Sequence, residues 1–226
     1  MLFIKIAKLN FSIILSDSGK NAKFDIFQRL NTGGTYASDQ EVRNSVMIMI
    51  NKPTFVWFKK LATNADFVET LSLSDRLLDE QYPMELVLRY IALVYFDYSQ
   101  KKELSDYFDD IVEQILANPN FLYQEIETNF NETFALLNSL EGEYIFKRYD
   151  GKSFKGKFLE SSFEAISVGI AVNMSQYNLP RDNDFLKAKI KALHSEPEFR
   201  KYTGSGSNAK TRIPKIVPLA KRFFSK

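Results

Sequence analysis

A mainly α protein, a helical bundle with a small β element near the N-terminus, is what three features of the sequence predict. Phenylalanine is abundant (20) and glycine scarce (9), which favours an aromatic-rich helical interior over a turn-rich β fold. Apolar residues recur at helical spacing through most of the chain after Ser38. Near the start, Asn10 to Ser16 is the one convincing β-branched run, closed by the turn Asp17-Ser18-Gly19-Lys20. A lone strand cannot satisfy its own backbone, so it must pair with partners elsewhere in the chain or on another chain. With 226 residues and 45% hydrophobic content, the chain can bury a proper core in one or two domains.

The elements follow in order. An apolar stripe (Phe24, Ile26, Phe27, Leu30) runs into Asn31-Thr32-Gly33-Gly34-Thr35. Ser38 with Glu41 three residues on is a capping box, and the helix it opens runs to Asn51. Pro53 restarts the chain for a helix bearing Phe55, Trp57, Phe58 and Leu61. A long apolar pattern reaches Tyr98. Pro83 either splits it or sits in the first turn of its second half. Leu86 to Tyr98 is apolar nearly all round and is expected to be the most buried element, with Arg89 as a paired structural arginine inside it.

Ser105 to Ala117 and Phe121 to Leu140 continue the helical register around Asn118-Pro119-Asn120. Tyr144 to Lys157, centred on Asp150-Gly151, reads equally as a hairpin or a loop. Phe158 to Met174 is an apolar helix, Asn183 to His194 an amphipathic one, and Pro197 starts a short turn to Tyr202. Lys210 to Phe224 forms a last helix interrupted by Pro214 and Pro218. These divide into a partial core over 1–52, a helical domain over 53–143 and a C-terminal helical region with a basic tail over 144–226.

Composition removes several chemistries. The absence of cysteine excludes disulfides, thiolate nucleophiles and Cys-based zinc sites, and the single histidine, His194, excludes any site needing two imidazoles. No apolar run approaches the roughly 20 residues of a membrane helix. Met1 to Lys8 does not read as a secretory leader, so a cytoplasmic protein with no membrane partner is expected. The net charge of +2 conceals segregation. Acids recur without Lys or Arg between Lys102 and Lys147, and after Glu198 only cations remain. Such a basic end suits a phosphate-bearing partner, or docks on the acidic middle of the same chain.

Two segments could carry chemistry. The Gly33-Gly34 pair lets backbone N–H groups approach a ligand, and Arg29 and Arg43 favour an anion there. The plain alternative is a helix cap and loop, with Arg29 and Glu41 as an ion pair. The second segment, Tyr202 to Arg212, places two glycines and small residues before a basic helix, as a phosphate cradle or a solvated linker. It lacks P-loop spacing. Lys201, Lys210, Arg212 and Lys215 are its candidate nucleic-acid contacts. His194 is read as a helix-end histidine interacting with the dipole.

The string from Phe27 to Thr35, continued by Ser38 to Asn44, resembles the second conserved block of the GmrSD-type restriction-enzyme N-terminal domain family (domain of unknown function 262). Arg148 to Gly151, Phe158 to Glu164 and Gly204 to Ile216 are similar to the C-terminal region of its short members. The resemblance implies a ParB/sulfiredoxin-like core, nucleotide-driven DNA restriction and a setting in phage defence. On its second motif fall Arg29, Asn31, Thr32, Gly33, Gly34, Gln40, Glu41 and Arg43, as nucleotide- or phosphate-binding residues. The family's Asp-Gly-Gln-Gln-Arg motif and its His-Asn-His nuclease motif are missing here.

The expectation is therefore a truncated or split relative that binds nucleic acid or nucleotide phosphate and is not a complete enzyme alone; no catalytic residue is assigned. No cofactor is evident in the sequence. A nucleoside triphosphate with Mg is implied only if a companion subunit supplies the missing half. The rival expectation is a structural helical domain that completes such a companion.

Overall fold

The computed structural model describes residues 37–79, 81–98, 102–204 and 206–226. The expected strand at Asn10 to Ser16 and the Asn31-Thr32-Gly33-Gly34-Thr35 loop lie outside them. The protein is mainly α with a small β element. Ten α-helices occur among the described residues: α1 Asp39–Ala62, α2 Ala65–Leu71, α3 Asp75–Asp79, α4 Tyr82–Tyr95, α5 Leu104–Ala117, α6 Tyr123–Glu141, α7 Glu160–Asn173, α8 Asn183–Leu193, α9 Pro197–Tyr202 and α10 Ala209–Phe223. Between α6 and α7 sit β1 Arg148–Tyr149 and β2 Phe154–Lys155. They form an antiparallel ribbon in which Arg148 faces Lys155 and Tyr149 faces Phe154. The described β element is thus in the C-terminal third, and the Asp150-Gly151 segment is a hairpin rather than a plain loop.

Local chemistry sets the helix ends. Ser38 and Glu41 cap α1 reciprocally: the Ser38 N–H donates to Glu41 Oε2 at 2.7 Å, and Glu41 N–H donates to Ser38 Oγ at 3.3 Å. Pro53 does restart the chain. Asn51 leaves the helical region (φ −152°, ψ 85°), and its side chain accepts from Thr54 N–H, capping the second half. Pro83 lies in the first turn of α4, where its missing N–H costs nothing.

One contiguous cluster of buried side chains runs from Met47 to Phe224. Its aromatic centre is Phe67, Tyr90, Phe130, Phe134 and Phe163, with Phe67 and Phe134 edge-on at 4.7 Å. Each ring pair of this kind adds about 1 kcal/mol beyond area burial. Helix α4 is buried along Leu86–Leu93 and packs on α1, α5 and α7; it ends at Tyr95 rather than Tyr98, and α7 is buried over more of its length. Helix α10 lies along α7, and Gly169 makes their approach possible. A Cβ there would meet Phe224 Cδ2 at 2.4 Å and the Ala220 carbonyl oxygen at 2.9 Å.

Gly169→Val should therefore lower stability by about 1–3 kcal/mol through overpacking. Gly204→Val, where a Cβ meets nothing within 4 Å, should leave the urea midpoint nearly unchanged. Equal midpoints for both variants would contradict the close α7–α10 packing.

Candidate anion cleft

The apolar helices α4 and α7 each carry a charge that must be answered in the interior. Glu164 is fully buried, and Arg89 and Arg212 are 3% and 6% exposed. Arg212 grips Glu164 with two parallel bonds, Nε to Oε2 and Nη2 to Oε1, both 2.8 Å. This is the fork geometry in which guanidinium and carboxylate interact most strongly. Arg89 reaches Glu164 at 3.2 Å, Glu160 at 2.9 Å and Glu85 at 2.8 Å. The Tyr82 hydroxyl donates to Glu160 at 2.7 Å. Burial opposes ionisation of Glu160, but Arg89, Tyr82 and Arg212 outweigh it and hold the carboxyl at about 2. Burial pushes the Tyr82 phenol well up, helped by the carboxylates around it.

Arg43 is engaged in the same way. It is 1% exposed, with Nε on Asp109 at 2.7 Å, Nη2 on Ser105 Oγ at 2.6 Å and Nη1 on Gln40 at 3.3 Å. Gln40 is buried and donates to Asn44. Burial raises the Asp109 pKa, and Arg43 counters only part of that rise. Both arginine centres flank one ring: the Arg43 and Arg89 guanidiniums lie 5.5 and 5.8 Å from the centre of Phe108.

These positions sort the residues expected to bind phosphate. Arg29, Asn31, Thr32, Gly33 and Gly34 lie outside the described residues. Gln40 and Arg43 face the interior, and Glu41 belongs to the helix cap. Arg212 is turned inward on Glu164 rather than outward to a nucleic acid. Lys210 pairs with Glu103 at 2.5 Å, so this part of the basic end docks on the acidic middle of the chain. Arg222 and Lys226 find Glu198 and Asp182. Lys201 and Lys215 are exposed and have no ion pair among the described residues.

The Gly/Ser segment borders a cleft of about 330 Å³ that also draws on the β1 strand, the start of α7, the end of α8 and α9. Arg148, Ser161, His194, Arg200, Thr203 and Gly204 line it. Arg148 and Arg200 are exposed and have no ion pair among the described residues, in contrast to Arg43, Arg89 and Arg212. Two guanidiniums lining one cleft with no carboxylate partner among the described residues form a ready seat for an anion. His194 stands edge-on to Phe199 at 5.8 Å, and its Nε2 is buried without a hydrogen-bond partner among the described residues. Burial, and then the charge of Arg148, depress its pKa to about 4, so the ring is neutral near pH 7. No group of three His, Asp or Glu side chains that could hold a metal occurs among the described residues.

Sequence reasoning singles out His194 and the Gly/Ser segment but not the arginines beside them. The missed signal is the basic run from Lys147 to Lys157. Glu164 is missed too; it is the lone acid within the apolar run of α7 and matches the lone arginine within that of α4. No family model, curated protein or solved structure matches this chain. No helix among the described residues is long and apolar enough to cross a membrane.

Two outcomes follow. Glu164→Ala leaves Arg89 and Arg212 without their shared carboxylate in the interior and should cost about 3–5 kcal/mol in urea denaturation; a loss below about 1 kcal/mol would contradict the pairing. His194 has a folded pKa below its ordinary 6.5, so the unfolded chain binds the extra proton between about pH 6.5 and about 4. Stability should fall as pH drops through that window. His194→Gln should flatten the fall, and an unchanged pH profile would show that the histidine is not responsible.

Proposed function

We propose that this chain is a binding module for phosphate-bearing ligands, nucleic acid or nucleotide, and that the Arg148–Arg200 cleft is its point of contact. One observation carries the reading: these two arginines share a cleft without carboxylate partners among the described residues, while Arg43, Arg89 and Arg212 are each paired internally. Three segments similar to the GmrSD-type family border the cleft, at Arg148, Ser161 and Gly204. That resemblance supports a cytoplasmic setting in phage defence. Nucleotide hydrolysis would then require a companion that supplies the missing motif, together with Mg.

Ser161 and Thr203 add hydroxyls to the cleft wall. Thr203 already donates to the Phe199 carbonyl at 2.8 Å, so it presents lone pairs rather than a free proton. The guanidiniums therefore supply the main attraction. An anion seated between them would also offset the repulsion that Arg148 exerts on a protonated His194.

A second reading, a helical domain that completes a companion subunit, is favoured by Ile48, Met49 and Val56, which leave α1 with apolar side chains 45–54% exposed.

The single histidine makes the first reading directly testable. Titration with inorganic phosphate should shift the His194 ring resonance in proton NMR and raise its pKa from about 4. Arg148→Ala combined with Arg200→Ala should abolish both effects. An unresponsive resonance at tens of millimolar phosphate, at constant ionic strength, would sink the proposal.

A further inference from the structure

Beyond the cleft, the hairpin that supplies Arg148 carries an uncommon concentration of charge. From Lys147 to Lys157 there are five cations (Lys147, Arg148, Lys152, Lys155 and Lys157) against one carboxylate, Asp150. Asp150 is committed to Lys155 at 2.6 Å and to the Lys152 and Ser153 backbone N–H groups at 2.9 Å. Lys152 and Lys157 are exposed and have no ion pair among the described residues.

Arg148 lines the anion cleft, and Lys147, the residue before β1, lines a second cleft of about 630 Å³. Lys157, Tyr82, Phe158 and Glu160 also border that second cleft. The Glu160 carboxylate does not leave it acidic, because Arg89 and Arg212 answer its charge. Aromatic side chains accompany the cations. Lys147 Nζ is paired with Glu143 Oε2 at 2.8 Å and lies 4.6 Å from the centre of the Tyr144 ring, and Tyr144 is 47% exposed.

We infer that the two clefts and the basic hairpin between them form one track for a single strand of nucleic acid, with backbone phosphates on Arg148, Lys152 and Lys157 and bases against exposed rings such as Tyr144. The inference rests on the phosphate-binding reading of the Arg148–Arg200 cleft and extends it from one anion to a polymer. Cations spread over two clefts and a hairpin turn suit a chain of phosphates better than a free nucleotide, which needs only one cluster. Rings interleaved with cations are the combination that holds single strands without sequence preference. A duplex is the poorer fit. Strands of two residues each present too little surface to fill a major groove about 12 Å wide.

Fluorescence anisotropy with the full chain tests this, using a labelled twenty-residue oligothymidylate, a duplex of equal length and inorganic phosphate as separate probes. The wild-type chain should bind the single strand at least tenfold more tightly than the duplex at equal salt. Lys152→Ala combined with Lys157→Ala should weaken single-strand binding by roughly tenfold and lower the salt slope by about 0.7 for each phosphate no longer neutralised. The thermal midpoint and the phosphate-induced shift of the His194 resonance should stay unchanged in that variant. Unaltered single-strand affinity in the variant, with the phosphate response intact, overturns the track but leaves the anion cleft standing. Tighter binding of the duplex overturns the single-strand assignment. Failure of both phosphate and oligonucleotide to bind removes the track and the proposed function together.

Discussion

A carboxylate with no access to water constrains much of this structure. Glu164 sits inside α7, and its burial is tolerable only because Arg212 from α10 and Arg89 from α4 converge on it. Three helices are thereby held in one register. Those helices in turn carry the packing around them: Gly169 on α7 receives Phe224 and Ala220, while Tyr90 on α4 meets Phe130 and Phe134 on α6. Phe108 ties in α5, lying beside both Arg89 and the Arg43 centre that secures the start of α1. Hydrophobic burial supplies most of the stabilisation, but it is indifferent to direction. The fork on Glu164 is directional and selects one arrangement among several of similar buried area.

The same constraint separates the cations by role. A guanidinium in the interior is held by carboxylates and cannot serve a ligand without leaving a buried charge behind. This applies to Arg43, Arg89 and Arg212. Cations left at the surface beside a concave wall are of a different kind, and Arg148 and Arg200 are the clearest examples. The charge segregation along the chain is therefore partly answered within the chain itself: Lys210 on Glu103, Arg222 on Glu198 and Lys226 on Asp182. Lys152 and Lys157 on the hairpin, Arg200 and Lys201 on α9 and Lys215 on α10 are exposed and have no ion pair among the described residues.

Much of the fold was legible in the sequence because it depends on short-range rules. Ser38 with Glu41 marked a helix start, Pro53 marked a restart, Pro83 marked either a split or a first turn, and the apolarity of Leu86 onward marked the central helix. The hairpin at Asp150-Gly151 stayed ambiguous because strands of two residues leave almost no alternation to detect. The site was harder to read. An arginine in a string of letters carries no sign of which carboxylate it will meet. Arg212 followed small residues as a phosphate contact would, yet Glu164, 48 positions earlier, is what it holds. Arg148 and Arg200 are far apart in sequence and line one cleft only because α7, α8 and α9 fold the chain back on itself. The Gly33-Gly34 loop, with which the family resemblance began, lies outside the described residues.

A double-mutant cycle between Glu164 and Arg212 measures the central constraint most directly. Stability would be taken from urea denaturation of the wild-type chain, Glu164→Gln, Arg212→Met and the double variant. The account predicts a coupling energy of at least about 2 kcal/mol, within the range for residues that share a buried ionic network. A coupling energy below about 0.5 kcal/mol would mean that the two side chains act independently. The division between internal and surface arginines would then lose its foundation.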